Sequence, residues 1–216
     1  RRYAGEDHRR RDGRDNRQAA GFAQVSKPGY LATPVDKSLY ARTFTAEVYL
    51  HIAVAKPGFN CGIVDCDGSW DWLHRGLDKS TSELRLILVD REGNRRDVAS
   101  GRALVLKTGV DYYLALLVGE KQVRVFAREL GKDSPLVEWR TGRAADGKPV
   151  VPLSLPREGG TLKIGNSGNG TGRHQGLIDE VAYTAGVLSR EQLLAHSASG
   201  PWQEKLSLAR QALATA

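Results

Sequence analysis

A strict alternation of apolar side chains between residues 44 and 54 constrains the fold more than any other feature of the sequence. The apolar residues at every second position are Phe44, Ala46, Val48, Leu50, Ile52 and Val54. Because side chains alternate across a β-strand, this period places all of them on one face. Such a strand has to bury that face against a second layer. His51 lies on the other face, where an isolated histidine is predicted to be a sheet-surface residue and not a ligand.

Short segments of the same kind recur along the chain, with turn residues between them. Gly93 and Asn94 separate one pair of segments and Gly119 begins the turn of another, which predicts two hairpins. The predicted strands are an edge strand at 22–31 and further strands at 44–54, 84–91, 95–100, 103–107, 112–118, 122–128, 136–140, 162–165 and 177–183. This pattern predicts an all-β fold, an antiparallel β-sandwich of the jelly-roll type, with a short helical turn and a C-terminal helix.

The segment at 159–194, GGTLKIGNSGNGTGRHQGLIDEVAYTAGVLSREQLL, predicts a strand, a loop rich in glycine and asparagine, a second strand and a helical turn. Ser189 and Gln192 have the spacing of a capping box. The second strand carries apolar residues on both faces, so one carboxylate of the pair Asp179 and Glu180 is expected to be partly buried. A buried carboxylate needs hydrogen-bond donors or a cation. Asp179 is therefore a candidate metal ligand.

This closing segment resembles the signature of a known family. The run G-T-L-K-I-G-N, the strand G-x-I-D-E-V that begins at Gly176 and the turn G-V-L-S-R-E-Q-L are similar to the last strands of laminin-G-like jelly-roll domains of the concanavalin A-like lectin and glucanase superfamily. The second hairpin departs from the family pattern, because Tyr112 stands where relatives have tryptophan and the Y-V-D-G that follows is degraded. The resemblance covers roughly residues 20–198 of a divergent member. It implies lectin-like carbohydrate binding and a structural calcium ion held by Asp179 and by backbone carbonyls near Gly21.

Composition divides the chain of 216 residues into three parts. Residues 1–19 are rich in arginine and are predicted to be a flexible polar leader, residues 20–198 to be the jelly-roll domain, and residues 199–216 to be an amphipathic C-terminal helix. The net charge is +7, but no basic stripe is interleaved with aromatic residues, so no nucleic-acid partner is expected. No apolar run reaches the length of a membrane span.

The N-terminal residues also bear on the origin of the chain. It begins with neither methionine nor the apolar segment of a signal peptide. We therefore expect a fragment or a processed form of a longer protein with a neighbouring domain.

The two cysteines, Cys61 and Cys66, are separated by four residues. That spacing is too wide for a redox C-x-x-C motif, and two ligands are too few for a zinc site. Two alternatives remain open. One is a local disulfide across a loop or hairpin in an oxidising compartment, and the other is a pair of half-buried free thiols.

The segment at 59–82, FNCGIVDCDGSWDWLHRGLDKSTS, concentrates side chains with chemistry around glycines and is predicted to be a loop. On this hypothesis Trp70 and Trp72 stack on a sugar ring, while Asp67, Asp71 and His74 bond to its hydroxyls. These five are the candidate ligand-binding residues. The alternative is that the tryptophans fill the end of the sandwich, because large aromatic residues are mostly buried.

Catalytic motifs are missing from the sequence. The hydrolase branch of the superfamily carries E-x-D-x-x-E on one strand face, and neither this pattern nor G-x-S-x-G, H-E-x-x-H or a phosphate-binding glycine loop occurs. We therefore expect a non-catalytic binding or adhesion module for a carbohydrate or a surface protein, within a secreted or otherwise extracytoplasmic multidomain protein. Two alternatives remain open: a structural spacer, and a diverged glycoside hydrolase or polysaccharide lyase that uses Asp65, Asp67, Asp71 or His74.

Overall fold

The computed structural model describes residues 20–22, 30–35, 37–166 and 172–198. The predicted leader at 1–19 and the predicted C-terminal helix at 199–216 lie outside the described residues. The strands, in chain order, are β1 Ala20–Phe22, β2 Leu31–Pro34, β3 Phe44–Ile52, β4 Asn60–Cys66, β5 Trp70–Gly76, β6 Thr81–Val89, β7 Arg95–Ala99, β8 Val105–Lys107, β9 Asp111–Val118, β10 Val123–Glu129, β11 Val137–Thr141, β12 Thr161–Ile164 and β13 Gly176–Ala185. Helix α1 is Arg190–Ala198, and short 3-10 helices lie at Lys37–Leu39 and Gly101–Ala103. Within these ranges no helix is long and apolar enough to cross a membrane.

The described strands form two antiparallel sheets that pack face to face. The back sheet has the order β1-β13-β3-β9-β10-β11. The front sheet has the order β2-β12-β4-β5-β6-β7, with β8 paired to the first residues of β6. Strands from distant parts of the chain lie side by side in each sheet, since β13 lies between β1 and β3 and β12 lies between β2 and β4. The predicted antiparallel β-sandwich is confirmed.

The main core lies between the two sheets. The inward residues of β3, from Phe44 to Ile52, are almost fully buried, as the alternation predicted. Leu84, Leu86 and Leu88 of β6 join the same cluster from the front sheet. Burial of an aliphatic or aromatic side chain of this size stabilises the fold by about 1.5–3 kcal/mol. The alternating residues of both sheets therefore supply the main driving force for the sandwich.

A second apolar cluster lies on the outer face of the back sheet. It contains outward residues such as Tyr113 of β9 and Phe126 of β10, together with Leu193 of α1. The helix begins with the predicted capping box, in which Gln192 N donates to Ser189 Oγ at 3.2 Å and Ser189 N donates to Gln192 Oε1 at 2.8 Å. The predicted helical turn is confirmed, and it covers this face of the sandwich.

The prediction of a loop that carries the tryptophans is wrong. This segment forms the hairpin of β4 and β5 in the middle of the front sheet. Asp67 and Gly68 lie in its turn, and Gly68 has the left-handed φ of 80° that favours glycine. An Asp-Gly pair between alternating segments is a hairpin signal. The run Trp70-Asp71-Trp72 continues with the period of a strand, so the hairpin is encoded locally.

Both cysteines lie on β4 as buried free thiols. Five steps of extended strand separate their Cα atoms by roughly 16 Å, whereas a disulfide needs about 4.4–6.8 Å. Of the two alternatives, free thiols are the one that the fold contains. Burial raises the pKa of Cys61 to about 11 and the pKa of Cys66 to about 12.

Candidate functional site

The five candidate ligand-binding residues do not converge on one site, because the alternation of β5 separates them. Trp70, Trp72 and His74 share the inward face of the strand, and Asp71 lies on the outer face of the front sheet. Asp67 lies in the turn that precedes β5 and is half-buried. The hairpin thus divides the predicted site into an aromatic inner part and an acidic outer part.

Both tryptophans belong to the core. Trp70 is 3% exposed and stacks on Phe44 at a centroid distance of 5.3 Å, and Trp72 is 0% exposed. Neither indole ring presents a face to solvent on which a sugar could stack. The alternative in which the tryptophans fill the sandwich is therefore the arrangement that the structure shows.

His74 joins the two sheets through a chain of buried hydrogen bonds. Its Nδ1 lies 3.3 Å from Ser82 Oγ, and its Nε2 lies 3.1 Å from Nδ1 of His174. His174 Nε2 lies 2.9 Å from the carbonyl oxygen of His51 on β3. Because a carbonyl can only accept, His174 donates through Nε2 and accepts a hydrogen bond at Nδ1 from His74.

The acceptor role of Nδ1 requires that the His174 imidazole is neutral. Burial is the main cause of a lowered pKa in both rings. It holds the pKa of His74 well below the usual value and lowers the pKa of His174 to about 4. Gly176 permits the bond to His51, since a Cβ at that position would lie 1.8 Å from the same carbonyl oxygen. The ring of His51 is partly buried, with Nδ1 at 2.8 Å from Asp111 Oδ1. His74 therefore contributes to the contact between the sheets and not to the outer surface.

The outer face of the front sheet carries two carboxylates at adjacent positions. Asp65 of β4 lies directly opposite Asp71 of β5 in the register, which places their Cβ atoms about 5 Å apart. The two residues are only 6% and 8% exposed. Like charges at directly opposite positions destabilise an antiparallel pair, and desolvation of a charged group adds to that cost. The hairpin therefore places two acidic side chains next to each other on this face.

Charged residues of neighbouring strands surround the carboxylate pair. Lys163 Nζ on β12 lies 3.3 Å from Asp65 Oδ2. On the other side Asp97 of β7 forms an ion pair with Arg85 of β6, which also donates from Nη1 to Asn60 Oδ1 at 3.1 Å. Burial raises the pKa of Asp65, and the charge of Lys163 opposes that shift. We use the term front face for the outward residues Lys163, Asp65, Asp71, Arg85 and Asp97.

The front face is suited to a ligand that is rich in hydroxyl groups. Its carboxylates accept hydrogen bonds, while the ammonium and guanidinium groups donate them. The sequence contains the signal for this pairing, because Asp65 and Asp71 are equally distant from Gly68 in the Asp-Gly turn.

Asp179 lies at an irregularity of β13 in the back sheet. The register with β3 shifts between Asp179 and Ala182, and Glu180 adopts a left-handed φ of 50°. Asp179 is buried, as predicted, and its Oδ1 accepts a hydrogen bond from Glu180 N at 2.9 Å. Gly21 of β1 pairs with Leu177, two positions from Asp179. The fold therefore brings the two predicted calcium-binding segments close together.

The surroundings of Asp179 limit which ligands a cation could have. Among the described residues no group of three or more His, Cys, Asp or Glu side chains is placed to hold a metal ion. A cation at Asp179 would therefore take most of its oxygen ligands from the backbone or from water, which calcium accepts.

Comparison with known proteins supports the fold and no more. No protein-family model matches the chain, and no curated protein matches it. Among solved structures, the receptor-binding domain of botulinum neurotoxin mosaic serotype C/D is similar at 12% identity with a TM-score of 0.50, over 83% of this chain and 45% of that one. A heptameric SAP-like pentraxin from Limulus polyphemus matches at 12% identity with a TM-score of 0.49, over 80% of this chain and 78% of that one.

Two further solved structures match with similar identities and TM-scores. Domain 4 of AbnA, a GH43 extracellular arabinanase from Geobacillus stearothermophilus, matches at 16% identity with a TM-score of 0.48, over 77% of this chain and 72% of that one. The chain spans 39% of the length of a solved mutant of HCR/D, at 12% identity and a TM-score of 0.49. At 12% identity, the botulinum match shows a shared β-sandwich fold alone.

Proposed function

We propose that this chain is a non-catalytic carbohydrate-binding module of the laminin-G-like jelly-roll type, carried by an exported multidomain protein, and that it binds its ligand on the front face. The opposed pair of Asp65 and Asp71 is the observation that supports this function. A ligand that donates hydrogen bonds to both carboxylates would offset their repulsion and their desolvation. Saccharides present hydroxyl donors of this kind on adjacent ring carbons.

The neighbouring charges suit the same ligand. Lys163 is held by Asp65, and Arg85 is held by Asp97 and Asn60. Donors that are fixed before a ligand arrives lose little conformational entropy when it binds. The front face therefore offers acceptors and pre-oriented donors in one plane, as the recognition of sugar hydroxyls requires.

A glycoside hydrolase is the second candidate function, because two acidic side chains lie directly opposite each other on β4 and β5. Burial raises the pKa of Asp65, which favours the protonated form that a general acid needs. Asp71 would then be the second carboxylate of the pair. The absence of the E-x-D-x-x-E pattern from the sequence favours the binding module over the hydrolase.

Glycan-array binding and release of reducing ends, measured on the same wild-type protein, test the proposal. We expect binding without release. Asp71→Asn should weaken the affinity at least about tenfold, which corresponds to about 1.4 kcal/mol. Asp133→Asn, which alters an exposed carboxylate between β10 and β11, should leave the affinity unchanged.

Two outcomes contradict the binding module. One is a wild-type protein that binds no glycan on the array. The other is release of reducing ends that is lost in both Asp65→Asn and Asp71→Asn, which would replace the binding module with the hydrolase.

A structural calcium ion at Asp179 belongs to the same proposal. The carboxylate of Asp179 and backbone carbonyls near Gly21 would hold it, and it would brace β13 at its irregularity. We expect calcium to raise the melting temperature and EDTA to lower it. The difference should vanish in Asp179→Asn and persist in Asp133→Asn. A melting temperature that neither calcium nor EDTA changes removes the calcium ion from the proposal.

A further inference from the structure

A cleft lies beside the start of β4, between the chain that follows β3 and the chain that precedes β13. It has a volume of about 400 Å³, which is large enough for one sugar ring. Its walls include Val54, Phe59 and Gln175, together with Lys56 and Arg173. The residues that line it differ in chemistry from those of the front face.

One wall of the cleft is apolar and open to solvent. Phe59 is 62% exposed and Val54 is 37% exposed. By contrast, Phe44 and Phe126 are almost fully buried. An exposed aromatic ring at a cleft is a platform on which an apolar ring face can stack.

The lining of the cleft also contains two cations, Lys56 and Arg173. Across the ranges that the structure describes, neither Lys56 nor Arg173 forms an ion pair, and no described residue that lines the cleft is acidic. The cations of the front sheet differ in this respect, because Arg75, Arg85 and Lys163 each have a carboxylate within 4.0 Å. Two positive charges that share a cleft with low-dielectric walls attract an anion.

The amide residue Gln175 also lines this region. The Oε1 atom of Gln175 is buried and has no hydrogen-bond partner among the described residues, while its backbone carbonyl is held by Ala53 N at 2.9 Å. A buried polar atom without a partner costs about 1–3 kcal/mol. A ligand hydroxyl that donates to Gln175 would recover that energy.

The cleft is joined to the front face by a direct contact. Asn60 lines the cleft, and its Oδ1 atom accepts the hydrogen bond from Arg85 Nη1 at 3.1 Å. A glycan of several units could therefore occupy both places at once. The carboxylates Asp65 and Asp71 repel an anionic unit, whereas Lys56 and Arg173 attract one.

We propose that the cleft is a subsite for an acidic sugar unit, one that carries a carboxylate or a sulfate group. Its ring stacks on Phe59, its anion lies between Lys56 and Arg173, and a hydroxyl donates to Gln175. The proposal rests on the carbohydrate-binding function proposed above. It adds the chemical class of the ligand and the order of its units, with the acidic unit in the cleft and a neutral unit over Asp65 and Asp71.

Calorimetric titration with matched oligosaccharides tests the subsite. The probes are a uronate-containing oligosaccharide, the same compound with its carboxyl groups reduced to hydroxymethyl groups, and a sulfated form of the reduced compound. The variants are wild type, the double variant Lys56→Gln with Arg173→Gln, and a control with Lys121→Gln and Arg140→Gln. The control removes the same charge from exposed positions of the back sheet.

Wild type should bind the uronate or the sulfated compound at least about tenfold more tightly than the reduced compound. This preference should disappear in the cleft variant, persist in the control and decrease as salt is added to wild type. The salt series needs no substitution, so it keeps the test valid if the cleft variant unfolds. Equal affinity of wild type for all three compounds overturns the acidic subsite and leaves the carbohydrate-binding function standing, whereas no binding of any compound overturns both.

Discussion

The two outer faces of the sandwich follow the same strand alternation, yet one is covered and apolar and the other is charged. On the back sheet, Tyr113 and Phe126 are almost fully buried in a cluster that includes Leu193 of α1. On the front sheet, the corresponding outward positions hold Asp65 and Asp71 and their charged neighbours. The outward apolar cluster and the outward charged side chains are therefore separated by sheet.

Buried carboxylates occur on both faces but have different surroundings. Glu47 on the back sheet accepts hydrogen bonds from Tyr113 Oη at 2.5 Å and from His196 Nδ1 of α1 at 2.8 Å. It attaches the helix to the sheet. Asp65 and Asp71 instead lie directly opposite each other on neighbouring strands, and Asp65 also contacts Lys163 of β12. Glu47 therefore helps to attach the helix, whereas Asp65 contacts a strand of its own sheet.

Removal of the helix contact should give the largest effect on stability. Leu193→Ala is expected to lower the free energy of unfolding by about 2–5 kcal/mol, because Leu193 is fully buried against the back sheet. Urea denaturation measures the loss. Leu194→Ala is the matched control, since its side chain is 38% exposed, and it should cost less than about 1 kcal/mol. Equal losses in the two variants would show that α1 is not docked through Leu193.

Acid should destabilise the interior that both sheets share. The pKa of His174 is about 4 in the native state, below its value of 6.5 as a free group. Between these values the unfolded chain binds a proton that the native state does not, so the free energy of unfolding decreases as the pH falls from 6.5 to about 4. Above pH 6.5 His174 is neutral in both the native and the unfolded state, so the stability that depends on this group is fully present. At about 1.4 kcal/mol for each pH unit, the loss is about 3 kcal/mol.

Denaturation at several pH values between 4 and 7 measures this slope. His174→Gln should reduce the slope by the part that His174 contributes and leave the part of His74, whose pKa burial also lowers. If His174→Gln has the same slope as wild type, His174 is not its source.

Neutralising Glu47 should cost less than the loss of Leu193. Glu47→Gln replaces two charge-assisted hydrogen bonds with neutral ones, which should lower the free energy of unfolding by about 1–2 kcal/mol. Chemical denaturation with the variant Glu138→Gln, an exposed glutamate of β11, as control checks the value. A stability equal to that of wild type would mean that Glu47 does not attach α1.

Neutralising a carboxylate of the front face should have a smaller effect, and it should raise the free energy of unfolding instead of lowering it. Asp71→Asn removes one of two opposed charges, so the free energy of unfolding should increase by about 0.5–1 kcal/mol without a ligand. The variant that loses affinity for the glycan would then be the more stable one. A loss of stability in Asp71→Asn would show that the pair contributes to the fold, and the contrast between the two faces would fail.

Local sequence signals are sufficient to predict most strands and the helix, but they do not predict the candidate sites. The alternation that starts at Phe44 and the capping box of Ser189 and Gln192 each depend on residues close in sequence, and both were predicted correctly. The hairpin around Gly68 was missed although its signal is local, because tryptophan, aspartate and histidine side chains were interpreted as a binding loop.

The residues of the candidate sites depend on distant parts of the chain. Lys163 reaches Asp65 only because β12 adds beside β4, and Arg173 shares a cleft with Lys56 because the chain that precedes β13 returns to the start of β4. No periodic pattern or motif in the sequence predicts either of these contacts. These pairings follow from the order of strands in the sheets, which the alternation of single segments does not specify.

The buried thiols of β4 have a practical consequence for how this domain can be handled. Because the pKa values of Cys61 and Cys66 are about 11 and about 12, both groups are protonated at neutral pH and are poor nucleophiles. The sandwich holds together without a covalent cross-link between them. The folded domain should tolerate reducing and oxidising media alike, and alkylating reagents should modify Cys66, which is 1% exposed, only after the domain unfolds.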